Sequence, residues 1–295
     1  GRPEAKPSAS MTATFGCPVS SVLLAVELLL FEFKPRSLFP VAIATTVAAG
    51  TRIALVGSGP VFSLADVAAA PPAALAAYLV EGAIIGVLSV VMTKAIYWIE
   101  DAFEHLPFHW MWWPAVGAVA VGVVGVISPH TLGVGYDNID RVLSGEFLGP
   151  TLIFFCAMKF ISWSIALGSG TSGGTLAPIF TIGGGAGAAI GSLFVGLAPT
   201  AGIDIRVAAL VGMAATFAGA SRAFLASVVF AFETTHRPEA LLPLLGGCAI
   251  ASLVSAFMMK NTIMTERLAR RGHHVPTEYG ALYPPSAGGE DQSPR

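Results

Sequence analysis

The stretch with the densest chemical potential is Gly168-Ser-Gly-Thr-Ser-Gly-Gly-Thr-Leu-Ala-Pro178, followed by Ile-Phe-Thr-Ile and a second glycine run from Gly183 to Gly191. Glycine lets backbone approach a ligand with no side chain in the way. Pro178 suits the first turn of a helix, where its missing N–H costs nothing. Free N–H groups at such a helix start, together with the positive end of the helix dipole, form an anion site. Neutral donors of this kind bind an anion in a low-dielectric setting without trapping it as a buried cation would. The surroundings favour negative charge as well, since no acidic residue lies between Glu146 and Asp204 and the single base there is Lys159. A competing role for the glycines is close helix packing. Gly183, Gly187 and Gly191, at four-residue spacing, fit it.

Other chemistries fit the residues poorly. Gly168 to Gly173 formally matches the dinucleotide pattern GxGxxG, but that pattern needs a preceding strand and an acidic residue some ~20 positions on. Here an apolar helix bearing Lys159 precedes it and the next acid is Asp204. Glu100, Asp101, Glu104, His105 and His109 are of metal-ligating type, but Pro107 interrupts the helical spacing and the stretch reads as a solvated loop between helices. His273 and His274 fall in a polar tail. No Ser/His/Asp or Cys/His arrangement points to catalysis, and no cofactor or metal is expected. Cys17, Cys156 and Cys248 lie far apart in apolar runs and read as small buried hydrophobes.

The elements that must position the glycine turn are membrane helices. Of the 295 residues 54% are hydrophobic and only 12% charged, about half the charged share of a soluble chain. Mean hydropathy is +0.73 and the pI is near 6.3, which disfavours nucleic acid as a partner. Apolar segments are expected at Phe15–Phe31, Ser37–Val56, Ala73–Ile99, Trp110–Ile127, Leu148–Leu167, Leu176–Leu197, Val207–Ala218, Ala223–Phe232 and Leu241–Met259. Several are too short, or too broken by Gly and Pro, to span fully. Half-spanning helices of this type border substrate sites. Trp110, Trp112 and Trp113 read as an interfacial aromatic belt, and Lys260, Arg267, Arg270 and Arg271 place the C-terminus in the cytoplasm. Residues 1–10 are polar and Pro-containing, and are expected to be a non-native or disordered leader. An expression scar, an altered start and a linker all fit it. Residues 272–295 are expected to be a disordered cytoplasmic tail. That leaves 11–271 as the membrane domain.

A faint internal repeat aligns Ser20–Glu27 with Ala226–Glu233, with four of eight positions identical. It suits a transporter built from two related halves. Glu27, Arg52, Glu81, Lys94 and Glu233 lie in or near apolar helices, where charge is a functional hypothesis by default. For Glu27 and Glu233 the preferred role is hydrogen bonding to nearby helix ends.

The turn Gly173-Gly-Thr-Leu-Ala-Pro178 resembles the third signature, GxFxP, of the CLC-type chloride channels and transporters. The resemblance runs from about Thr14 to Arg271. It includes Phe15-Gly-Cys-Pro18 through Glu27, Gly133-Val-Gly-Tyr-Asp137, Ala218-Gly-Ala-Ser-Arg-Ala223 through Glu233, and Thr265-Glu-Arg-Leu-Ala-Arg-Arg-Gly272. It implies an all-α polytopic membrane fold with tilted, half-spanning helices in an inverted repeat, whose N-terminal part is missing here. It also implies a homodimer in a bacterial inner membrane, carrying chloride or a similar monovalent anion such as fluoride or nitrate. The anion site it implies comprises Gly173, Gly174, Thr175, Leu176, Ala177 and Pro178, with the amides of Thr175 and Leu176 foremost. Lys159 falls where a basic residue is common, and Met264 where a tyrosine usually completes the site. The first and second signatures, GSGxP and GKEGP with its gating glutamate, have no counterpart. Gly57-Ser-Gly-Pro60 imitates the first but comes after the Phe15 helix and reads as a loop. Leu28 stands where proton-coupled members carry a second glutamate, so a standard two-glutamate exchanger is not expected. A non-conducting fragment that only dimerises is the alternative to transport.

Overall fold

The computed structural model describes residues 5–266 except 31–34, 63, 65, 108, 146, 148 and 172. All regular structure among the described residues is helical. The α-helices are α1 (Ala5–Phe15), α2 (Pro18–Leu24), α3 (Pro35–Val56), α4 (Pro72–Glu104), α5 (Trp113–Ile127), α6 (Tyr136–Leu143), α7 (Pro150–Gly168), α8 (Leu176–Leu197), α9 (Ile205–Ser221), α10 (Phe224–Thr235) and α11 (Leu241–Met258). A π-helical turn, Ala25–Leu30, continues α2. Six helical segments are long and apolar enough to cross a membrane: Pro35–Val56, Pro72–Glu104, Trp110–Ile127, Pro150–Gly168, Leu176–Leu197 and Pro238–Met258. Three further apolar helices, Pro18–Leu28, Ile205–Ser221 and Phe224–Thr235, are too short to do so and sit against the longer ones.

The centre of the molecule is α9. Every residue from Val207 to Ser221 is buried, so this helix is wrapped by others on all sides. α8 lies against it at backbone distance. A Cβ added at Gly183 would stand 2.7 Å from Gly212 O, and one at Gly187 would stand 2.4 Å from Ala208 O. Those glycines are therefore packing residues, whose absent side chains let the two helices touch. Across the other face α4 and α11 meet in the same way, with Gly82 against Gly247.

Three expectations meet a different structure. Residues 5–10 are helical, not a disordered leader: they open α1, where Ser8 and Thr12 are buried and Thr12 Oγ1 donates to Ser8 O at 3.0 Å. Residues 1–4 and the expected tail at 272–295 lie outside the described residues. The first apolar run breaks at Gly16, whose φ of +65° turns the chain between α1 and α2. Glu100, Asp101 and Glu104 ride on the last turns of α4 instead of a loop. Nothing in their sequence stops a helix before Pro107, which bars helical continuation at the residues just ahead of it.

Candidate functional site

The repeat seen in the sequence is a physical clasp. Glu27, in the π-helical turn after α2, accepts from the first amides of α10: Leu225 N to Oε1 and Ala226 N to Oε2, both at 3.0 Å. Glu233, near the end of α10, does the same for α2, accepting from Val19 N at 3.0 Å and Ser20 N at 2.8 Å. The register that aligns Glu27 with Glu233 also aligns Val19 with Leu225 and Ser20 with Ala226. The two short helices are thus antiparallel, and each glutamate neutralises the dipole end of the other helix.

The start of α8 is built differently. Thr175 occupies the N-cap position with no side-chain hydrogen bond to the helix. Ile179 N is the first to donate backward, to Thr175 O at 3.2 Å. Among the described residues the amides of Thr175, Leu176 and Ala177 donate to no protein acceptor, and Pro178 has no amide to satisfy. These donors open on a cavity of about 710 Å³ lined by Gly173 to Pro178, Phe15, Leu24, Leu28, Gly133, Val134, Tyr136 and Met264. Among the described residues no carboxylate or ammonium is in that lining. Among the described lining residues the ones with polar side chains are Thr175 and Tyr136, apart from the thioether of Met264.

Each wall has an identifiable support. Met264 sits on a turn after α11 fixed by Tyr97 Oη donating to Ile263 O at 2.6 Å and by Ile263 N donating to Ala220 O at 3.0 Å. Phe15, at the end of α1, makes edge contacts with Tyr136 at 5.1 Å and Phe230 at 5.2 Å between ring centroids. Phe180 of α8 stacks on Phe230 at 4.5 Å. This aromatic group ties the cavity floor to α8 and α10. The loop from Gly133 to Gly135 carries Val134 and Tyr136 onto the wall, with Gly135 at φ +88° capping α6.

Of the expected site residues, Gly173, Gly174, Thr175, Leu176, Ala177, Pro178 and Met264 come together in this one cavity. Lys159 does not line it. Its buried Nζ donates to Thr131 O at 2.8 Å and Gly133 O at 3.1 Å, so it holds the loop behind the wall. Gly57, Ser58 and Gly59 border a separate cavity of about 320 Å³ beside Arg52 and Glu233. Phe15, Leu24, Gly133, Val134 and Tyr136 also line the cavity, although motif reading assigned none of them to the site; Phe15 and Tyr136 are the aromatic ones. Their signal was a phenol and a phenyl immediately beside glycines, in segments already matched to the same family.

The sequence matches the family described as "Voltage gated chloride channel" over residues 7–256. Among curated proteins, the H(+)/Cl(-) exchange transporter ClcA of Salmonella arizonae is 26% identical over 276 residues, 90% of this chain and 58% of that protein. The ClcA of Salmonella paratyphi B matches to the same extent. The chain therefore spans somewhat more than half the length of the curated relatives it matches. Among solved structures, a slow cyanobacterial Cl-/H+ antiporter superposes with a TM-score of 0.81 at 23% identity, covering 91% of this chain and 64% of that one. A CLC-type fluoride/proton antiporter superposes with a TM-score of 0.71 at 21% identity, covering 84% and 61%. With a glycine turn, a two-fold pair of short helices and a family match across most of its length, the chain is a member of the CLC family.

Proposed function

We propose that this chain moves chloride or a similar monovalent anion across a membrane, with the α8 turn as the central contact. The observation that carries this reading is the set of amides at Thr175, Leu176 and Ala177, which among the described residues have no partner and face an apolar cavity lined by no described carboxylate. An anion there gains the helix dipole and several N–H donors, while no fixed cation holds it too tightly to leave. The relatives named above exchange chloride or fluoride against protons. Leu28 in the cavity wall offers no carboxyl for a proton at that point. We place the C-terminus in the cytoplasm and the protein in a bacterial inner membrane, from the basic residues Lys260, Arg267, Arg270 and Arg271 after α11. We take the assembly to be a homodimer. Cross-linking through a cysteine at Ile43, an outward residue of α3 at 65% exposure, tests that.

Anion efflux from liposomes tests the transport reading. Gly174 is the informative position, because a Cβ there would meet nothing within 4 Å. A leucine at 174 should fold normally and block the cavity. Chloride flux from the unaltered chain that Gly174→Leu abolishes supports the proposal, and competition by fluoride and nitrate ranks the ions. Absence of flux from well-folded protein would favour a dimerising, non-conducting chain.

A further inference from the structure

The cavity and the clasp leave one acid unused. Glu81 lies in the first third of α4 with 0% exposure, and neither carboxylate oxygen has a hydrogen-bond partner among the described residues. It sits where α4 meets α8 and α9. The position a Cβ would take at Gly187 is 2.9 Å from Glu81 Oε1 and 2.4 Å from Ala208 O. The acid and the α9 carbonyl thus share the bare face of one glycine. Among the described residues the groups around it supply no countercharge. α8 holds no ionisable residue, and α11 holds only the buried Cys248. In α9 the one charged side chain is Arg206, at its outer end and paired with Asp204. In α7 the ammonium of Lys159 is turned to Thr131 O and Gly133 O, and Cys156 is a buried thiol. On α4 the nearest titratable group is Tyr78, whose Oη accepts from Asp204 N at 3.0 Å.

An ionised carboxylate with neither water nor donors costs many times what a neutral acid costs in the same place. A neutral acid also gains an O–H, and the neighbouring Ala208 carbonyl has a lone pair to receive it. We infer that Glu81 is a proton-binding site inside the membrane, occupied in the folded protein, and that this proton locks α4 against α8 and α9. Loss of the proton would draw water into the Gly187 contact and shift α8, the helix that carries the Thr175 turn at its N-terminal end. Anion flux should therefore fall as the medium becomes alkaline. This second consequence rests on the transport reading, whereas the proton itself does not. A route for exchange lies close by, since Tyr78, one turn before Glu81, borders a cavity of about 780 Å³ together with Asp204 and Arg206.

Infrared difference spectra of the full chain in lipid at neutral pH, unaltered against Glu81→Gln, test the site without reference to transport. Loss of a protonated-carboxyl C=O band that shifts in D2O is expected. Loss of carboxylate bands instead would overturn the proposal. If Glu81→Gln does not fold, Glu81→Met serves for the same comparison. Failure of both neutral replacements to fold would also count against a neutral acid at this place. In liposomes, Glu81→Gln should abolish the alkaline fall in flux. An alkaline fall that survives the substitution would overturn the coupling to α8. A correct infrared result from a chain that moves no anion would defeat the transport reading alone.

Discussion

Four helix starts in this protein face the same electrostatic demand and meet it in two ways. α2 receives the carboxylate of Glu233, α10 that of Glu27, and α9 that of its own N-cap Asp204, whose Oδ1 accepts from Arg206 N at 2.9 Å. Among the described residues α8 receives no side chain, and it opens on a cavity whose described lining holds no acid. Where the chain supplies the anion, the helix start is a structural joint. Where it withholds one and leaves space, the same amides are available to an ion from outside. The proposed ion site thus differs from the structural joints by one carboxylate per helix, not in kind.

Predictions that bear on this contrast run from the open helix start to the closed ones. Filling the open one has the largest effect: Gly174→Leu should lower anion flux about tenfold or more at an unchanged melting temperature, because the side chain occupies the ion's path. Emptying a closed one attacks the fold. Glu27→Ala removes two charge-assisted hydrogen bonds at a buried site, and should cost on the order of 2–4 kcal/mol in thermal unfolding. Glu233→Ala should cost less, its carboxylate being nearer the surface, and the two changes should be non-additive because they act on one clasp. Lys159→Met frees the loop at Thr131 and Gly133, and isothermal titration should show anion affinity lower by about three- to tenfold. Tyr136→Phe removes one hydroxyl from the cavity and should weaken the anion about fivefold. Unchanged affinity would mean the phenol faces away from the ion.

The smallest effect concerns Asp204. Burial raises its carboxyl's affinity for a proton, but the hydrogen bonds from the Arg206 side chain and backbone outweigh this and hold the pKa below its ordinary value. A depressed carboxylate adds stability above its unfolded-state pKa and loses it as pH falls through the folded one. Acid unfolding should accordingly begin at higher pH in Asp204→Asn than in the unaltered chain, measured by circular dichroism.

Much of this was readable from residue order. The runs of apolar residues gave the spans, because a helix in lipid must satisfy its own backbone and so writes its length in composition. The glycine turn before Pro178 was legible for a local reason too, since a helix start is set by its neighbours. The clasp was legible only in part. Two glutamates at matching places in a repeat suggested helix-end bonding, but which amides each one reaches depends on chain segments far apart. Tyr136 could not be placed on the cavity wall from sequence, because its direction follows from Gly135 and from Lys159 pinning the loop beneath it.

The clasp also has a meaning in time. Ser20 and its capping oxygen on Glu233 are 213 residues apart along the chain, and Leu225 and Glu27 are 198 apart. During synthesis α2 therefore exists without its cap until α10 has been made, and the π-helical turn carries a carboxylate with no α10 amides to receive it. Closing so long a loop is slow and entropically costly. The first half of the chain waits in an incomplete form, the hazard of late non-local closure. When α10 arrives, both helix starts and both carboxylates are satisfied in one event. Assembly of this protein should thus turn on a single non-local step, in which α2 and α10 latch to each other.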